Sequence, residues 1–178
     1  YTTFLRDYRT YHVVYITLGM MERFPQWFDE KVIAWGQYLH WADINFNRHF
    51  CSDEDTPTEI AISFQWFASE YVVIEGWREI NHHENTISTL LDANAEGIDL
   101  LRRARNAVFH FQKSPLDKRL MEFATAYGAS GWLFDLHQAF LSYLLAYPSS
   151  AYPYSERKDE FVSKFFDIVG WKPEPLQK

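Results

Sequence analysis

The stretch TPTEIAISFQWFASEYVVIEGW, residues 56–77, decides the fold. Thr56 can cap a helix. Pro57 fits the first helical position, where its missing N–H costs nothing, and Glu59 completes a capping box. Ile60, Phe64, Phe67, Tyr71 and Ile74 then recur at spacings of four and three. That spacing lays one apolar stripe along a helix facing a core, and it predicts a helix over 58–81. Glu75 is the only charge between Tyr71 and Trp77. A carboxylate in such apolar surroundings must find a cation or take up a proton. Glu75 is therefore expected to be a buried, paired acid; pairing with Arg78, or exposure beside Gly76, is the plainer alternative.

The same periodicity extends in both directions. Upstream, it predicts helices over 3–22 and 27–49, punctuated at Pro25, with Trp27, Phe28, Ile33, Trp35, Leu39, Trp41, Ile44 and Phe46 on a broad face of the second. The acidic, polar run Ser52–Thr58 reads as a loop. Downstream, a short helix over 85–92 precedes one over 95–112 capped by Asn94. Ser114-Pro115-Leu116-Asp117 starts another, over 115–127, so the helix before it is expected to end close to His110. Gly128 and Gly131 mark a bend before an apolar helix over 132–147, carrying Trp132, Leu133, Leu136, Phe140, Tyr143 and Leu144. Pro148 to Pro153 reads as a loop, 155–169 as a last amphipathic helix, and Pro173 to Pro175 as a frayed tail. Alternating strand patterns and hairpin dipeptides are missing. The expected fold is an all-α bundle of about six to seven helices in one domain, 1–178. Its core spans about 55–147, with an N-terminal helical pair in 1–50 and a C-terminal helix and tail in 155–178.

Composition bounds the function. The chain has 178 residues, enough to bury a substantial core. Its 47% hydrophobic content is too high for disorder. Seven Trp, eleven Tyr and fifteen Phe exceed what a small core needs, so some are expected at an interface or stacked on a ligand. Cys51 is the single cysteine, which excludes an internal disulfide or a Cys-based zinc site and fits a reducing compartment. A signal-peptide pattern is not visible, and no apolar run approaches the roughly 20 residues that span a bilayer. A cytoplasmic chain with no membrane association is expected.

The net charge is −7, yet Arg102 to Arg119 holds Arg102, Arg103, Arg105, Lys113, Lys118 and Arg119 against one acid, Asp117. Nucleic-acid binding by charge shows as such a local patch rather than as a global pI. Within it, Arg105-Asn106 is followed four positions later by His110. A guanidinium can clamp a phosphate, and an imidazole is the side chain that moves protons near neutral pH. At about 100° per residue, Asn106 and His110 share a face, whereas Arg105 lies about 140° from His110. For both to reach one phosphate, the helix must unwind near His110, the Arg105 side chain must swing round, or a second chain must complete the cleft. The plain alternative is a solvated basic face with His110 at the helix C-terminus.

Arg105-Asn106, a gap, then His110 near the end of a late helix resembles the HEPN superfamily (higher eukaryotes and prokaryotes nucleotide-binding). The wider run Arg105-Asn-Ala-Val-Phe-His-Phe-Gln is similar too, with apolar residues between the polar ones. The resemblance covers about 55–147. It implies a metal-independent endoribonuclease, toxin-like or defence-related, with no cofactor, in which the RNA 2′-hydroxyl attacks the adjacent phosphate. His110 would be general acid or base, Arg105 would stabilise the phosphate, Asn106 would hold the imidazole or phosphate, and Glu75 would orient Arg105 or His110. Arg102, Arg103, Lys113, Lys118 and Arg119 would attract the RNA backbone. A homodimer with two facing motif helices is implied, and an antitoxin or regulatory protein is an expected partner. The alternative is a non-catalytic HEPN-like dimer that binds RNA or a partner protein.

Other sites are weaker. Glu79-Ile-Asn-His82 has the form of a helical di-iron half-site, but no second Glu-x-x-His accompanies it. His82, His83 and Glu84 are adjacent and point apart on a helix, so a metal is not expected. His137, on an apolar helix, reads as a satisfied semi-buried histidine. The seven glycines are dispersed, and Ser130 lacks the flanks of a nucleophile elbow.

Overall fold

A computed structural model describes residues 29–51, 56–114, 117–126, 131–151 and 158–171. Among the described residues there are seven α-helices and no strand: α1 (Glu30–Cys51), α2 (Thr56–Ile80), α3 (Asn85–Ala93), α4 (Ala95–Phe109), α5 (Lys118–Ala126), α6 (Trp132–Ala151) and α7 (Lys158–Val169). The fold is an all-α bundle. The larger compact unit is Lys31–Lys178. The helix expected over 3–22, the punctuation at Pro25, the bend at Gly128 and the proline-rich tail lie outside the described residues.

Local chemistry sets the helix ends. α2 begins at Thr56 with Pro57 in its first turn, where proline is tolerated. Glu84 caps α3, its Oε2 accepting the Ile87 N–H at 2.8 Å. Asn94 begins α4 without a side-chain cap; its Nδ2 instead donates to the Leu90 carbonyl at the end of α3. α5 begins at Lys118 rather than 115, because Asp117 is the cap: its Oδ1 accepts the Arg119 N–H at 3.0 Å. α6 runs to Ala151, so the loop expected from Pro148 is corrected. Pro148 is buried inside the helix; a proline there removes one i→i−4 bond and crowds a carbonyl, and α6 continues past it.

Two kinds of contact hold the bundle. The first is aromatic. Trp35 of α1 packs against Trp77 of α2 and Phe140 of α6, and its Nε1 donates to the Val73 carbonyl at 3.1 Å. Gly76 makes this close approach possible, since a Cβ there would lie 2.9 Å from Trp35 Cδ1. Gln37 Nε2 donates to the Ile168 carbonyl of α7 at 3.2 Å. α2 then packs along α4, α4 along α5, α3 on α6, and α6 on α7. The α2 stripe enters the core from Phe67 onward, through Tyr71 and Ile74; Ile60 is exposed, as are Trp41 and Ile44 of α1.

The second contact is ionic, and it corrects the expected buried acid. Glu75 is half exposed. The sealed carboxylate is Glu70, five residues earlier and about 140° round the helix. His137 of α6 is fully buried between Glu70 Oε1 at its Nδ1 and Asp43 Oδ1 of α1, 3.3 Å from its Nε2. Trp66 Nε1 donates to the same Glu70 oxygen at 3.3 Å, and Phe46 stacks on the imidazole with centroids 4.5 Å apart. Burial alone would push His137 down. The charge of Glu70, hydrogen bonds to Asp43 and Glu70, and the charge of Asp43 outweigh it and raise the imidazole to about 9.

This sets a pH dependence. A folded-state value raised above the ordinary 6.5 contributes stability that is complete below the unfolded value and lost as pH climbs through about 9. The shift corresponds to about 3 kcal/mol. His137→Gln should therefore cost more stability at about pH 6 than at about pH 10, by roughly that amount. Urea unfolding of parent and variant at both pH values measures it. An equal cost at both would contradict a protonated His137.

Candidate functional site

Arg105 lies in the last turns of α4, on the side that packs along α2. Its Nη1 donates to Asn106 Oδ1 at 3.1 Å, and its Nη2 lies 3.7 Å from Glu75 Oε2 on α2. The Arg105 guanidinium carbon sits 6.0 Å above the centroid of the Phe109 ring, within cation–π range. Arg105 Nε is buried without a hydrogen-bond partner among the described residues. Tyr71, one turn before Glu75, borders the cluster. Burial raises its phenol above the usual range and Glu75 adds to this, while Arg102, Arg78 and Arg105 pull it down. Arg105, Asn106 and Glu75 are thus one group, with Tyr71 within reach of its charges.

His110 is placed differently. α4 ends at Phe109, close to His110 as expected though short of the bound at 112, and His110 is its C-terminal cap in extended backbone, φ −117° and ψ 138°. The helix has therefore already unwound at the histidine. Its side chain is exposed and makes no hydrogen bond or ion pair among the described residues. The structure does not bring the imidazole into hydrogen-bond contact with Arg105, Asn106 or Glu75. The His110 backbone, however, is held. Gln112 Nε2 donates to the His110 carbonyl at 2.6 Å and to the Ala107 carbonyl at 3.4 Å, which satisfies otherwise orphaned C=O groups of the helix end. Arg119 Nη2 donates to Gln112 Oε1 at 2.7 Å, and Asp117 binds Arg119 in turn, with Nε to Oδ1 at 2.8 Å. The Arg119 hydrogen bond and N–H hold the Asp117 carboxyl below its ordinary range.

Sequence reasoning missed Gln112 altogether and assigned Arg119 to RNA. The available signal was a side-chain amide two residues past a helix cap, where free carbonyls need donors. The remaining cations are also engaged. Arg102 pairs with Asp99 at 2.8 Å, Arg103 with Glu122 at 2.7 Å, and Lys118 with the same Glu122 at 3.3 Å. Of the six cations in the segment, Lys113 alone has no carboxylate partner among the described residues.

The other candidates resolve simply. His82 contacts Tyr143 and Tyr147, with its Nδ1 hydrogen-bonded to the Tyr143 hydroxyl; Glu84 is a helix cap. Among the described residues no group of three or more His, Cys, Asp or Glu is arranged to hold a metal ion, and no helix is long and apolar enough to cross a membrane. Compared with known proteins, the chain matches no family model, no curated protein and no solved structure.

Arg105 can be altered without unfolding the bundle. A long, partly solvated ion pair contributes about 1 kcal/mol or less. Arg105→Ala should therefore unfold in urea within about 1 kcal/mol of the parent. A much larger loss would mean that the guanidinium is a structural element.

Proposed function

We propose that the chain is a helical, metal-independent endoribonuclease of the HEPN type, acting as a homodimer in which two α4 ends face one cleft. The observation that carries the proposal is the grouping at the end of α4. A guanidinium and an amide lie side by side, a carboxylate of the neighbouring helix braces the guanidinium, and an uncommitted imidazole follows at an unwound helix end. His110 exchanges protons with the reacting oxygens: one leaves the RNA 2′-hydroxyl and one is returned to the departing 5′-oxygen. Arg105 exchanges its 3.7 Å contact with Glu75 for the phosphate, whose growing charge it stabilises. Asn106 orients Arg105 or the phosphate. Lys113 supplies unpaired positive charge beside the site, and Arg102 and Arg103 add to the attraction for the backbone. The biological setting that fits is a toxin-like or defence-related cytoplasmic enzyme, restrained by an antitoxin or another regulatory protein.

A second reading is favoured by one specific observation. Five of the six cations already hold carboxylates, and Arg105 itself is shared with Glu75. A site so neutralised also suits a non-catalytic dimer that binds RNA or a partner protein.

One assay separates them. Purified protein is incubated with mixed RNA in EDTA, alongside His110→Ala and Arg105→Ala. The nuclease reading expects chelator-resistant cleavage that falls at least about a hundredfold in each variant. RNA retained but uncut supports the binder. Activity abolished by EDTA, or unchanged in both variants, removes Arg105 and His110 from the chemistry.

A further inference from the structure

The two residues that flank His110 are aromatic and solvent-facing. Phe109 is 54% exposed and Phe111 is 94% exposed, the most open large apolar side chain among the described residues. Leaving a phenylalanine ring in water forgoes the gain of burying it, so two open rings beside a candidate catalytic residue call for a ligand. Neither ring packs in an aromatic cluster of the core: Phe109 carries only the Arg105 guanidinium at 6.0 Å, and Phe111 has no ring contact among the described residues. The Gln112 clip holds the backbone between them, so the rings are displayed from a fixed turn.

The surrounding charge names the occupant. Arg102 and Arg103 are held by Asp99 and Glu122, but Arg105 meets Glu75 only across 3.7 Å and keeps its guanidinium over the Phe109 ring. Lys113, unpaired among the described residues, lies two positions beyond Phe111. Open rings interleaved with cations are the means by which proteins grip unpaired nucleic acid: the cations follow the phosphates and the rings stack on bases. A duplex offers no free base faces to such rings.

We propose that Phe111, assisted by Phe109, stacks on unpaired bases next to the scissile phosphate, so that the substrate is single-stranded RNA and not duplex RNA. This rests on the ribonuclease reading for the position of the phosphate, but the stacking itself requires only binding.

The test measures binding by fluorescence anisotropy, using a labelled 2′-O-methyl oligouridylate that cannot be cleaved and a 2′-O-methyl duplex of equal length. The parent should bind the single strand more tightly. Phe111→Ala should weaken that binding about tenfold or more. Phe111→Leu should weaken it similarly, because leucine keeps apolar area but has no ring face, and Phe111→Trp should restore it. An exposed ring can be replaced without disturbing the core, and circular dichroism checks that it is. Equal binding of strand and duplex by the parent, or unchanged strand binding in Phe111→Ala, overturns the inference. So does Phe111→Leu binding as the parent does. Sedimentation showing that Phe111→Ala dissociates a dimer would also overturn it, since the ring would then serve a subunit contact. Cleavage is read separately: cutting without ring dependence removes the stacking proposal and spares the nuclease, whereas ring-dependent binding without cutting does the reverse.

Discussion

An imidazolium clamped between two carboxylates fixes the rotation of α2, and the candidate site depends on that rotation. Glu70, His137 and Asp43 come from three helices; Glu70 and His137 are sealed from solvent, and Asp43 is part-buried. Removing one member of such a set leaves charge buried without compensation, which is far more costly than losing a surface pair. With Glu70 committed to this centre, Glu75 is carried round to the side where α4 lies, and Tyr71 borders it. The contact between Glu75 and Arg105 thus follows from an interaction on the other side of the same helix.

The end of α4 is organised by a different principle, hydrogen-bond satisfaction. A helix terminus leaves carbonyls without donors. Here Gln112 supplies one to His110 and Ala107, and Arg119 and Asp117 keep Gln112 in place. The backbone of His110 is restrained while its ring stays open to solvent. Such a combination suits a group that must meet an incoming substrate, because the ordering cost falls on the scaffold in advance.

Much of the architecture was legible in the sequence because it rests on local signals. The stripe through Phe67, Tyr71 and Ile74, the turn chemistry around Pro57 and the cluster of Ser114 to Asp117 each led to a helix now described. The errors fell where tertiary partners decide. Pro148 reads locally as a breaker, yet α6 continues through it with the ring buried. Glu75 stood out because its immediate neighbours are apolar, but neighbours in sequence lie on different helix faces. Glu70 was the informative acid, since it lies three, four or seven positions from Trp66, Phe67, Val73, Ile74 and Trp77. Asp43 among Leu39, Ala42 and Phe46, and His137 among Leu133, Leu136 and Phe140, carry the same signature. Three ionisable residues on core-facing positions of three helices are each other's natural partners, and that pattern required reading the helices together. At the candidate site, the proximity of Arg105, Asn106 and Glu75 follows from their places on two packed helices. The separation of the His110 ring from them does not, because it depends on where α4 stops.

The chemistry assigned to Arg105 and His110 is tested most directly by the ends of the products. An RNA carrying one 2′-deoxynucleotide at the cleaved position is compared with its all-ribose parent, and the fragments are weighed by mass spectrometry. Attack by the neighbouring 2′-hydroxyl predicts 2′,3′-cyclic phosphate and 5′-hydroxyl termini from the all-ribose RNA and no cut at the deoxy position. Fragments bearing 5′-phosphates, or undiminished cleavage at the deoxy position, would contradict it.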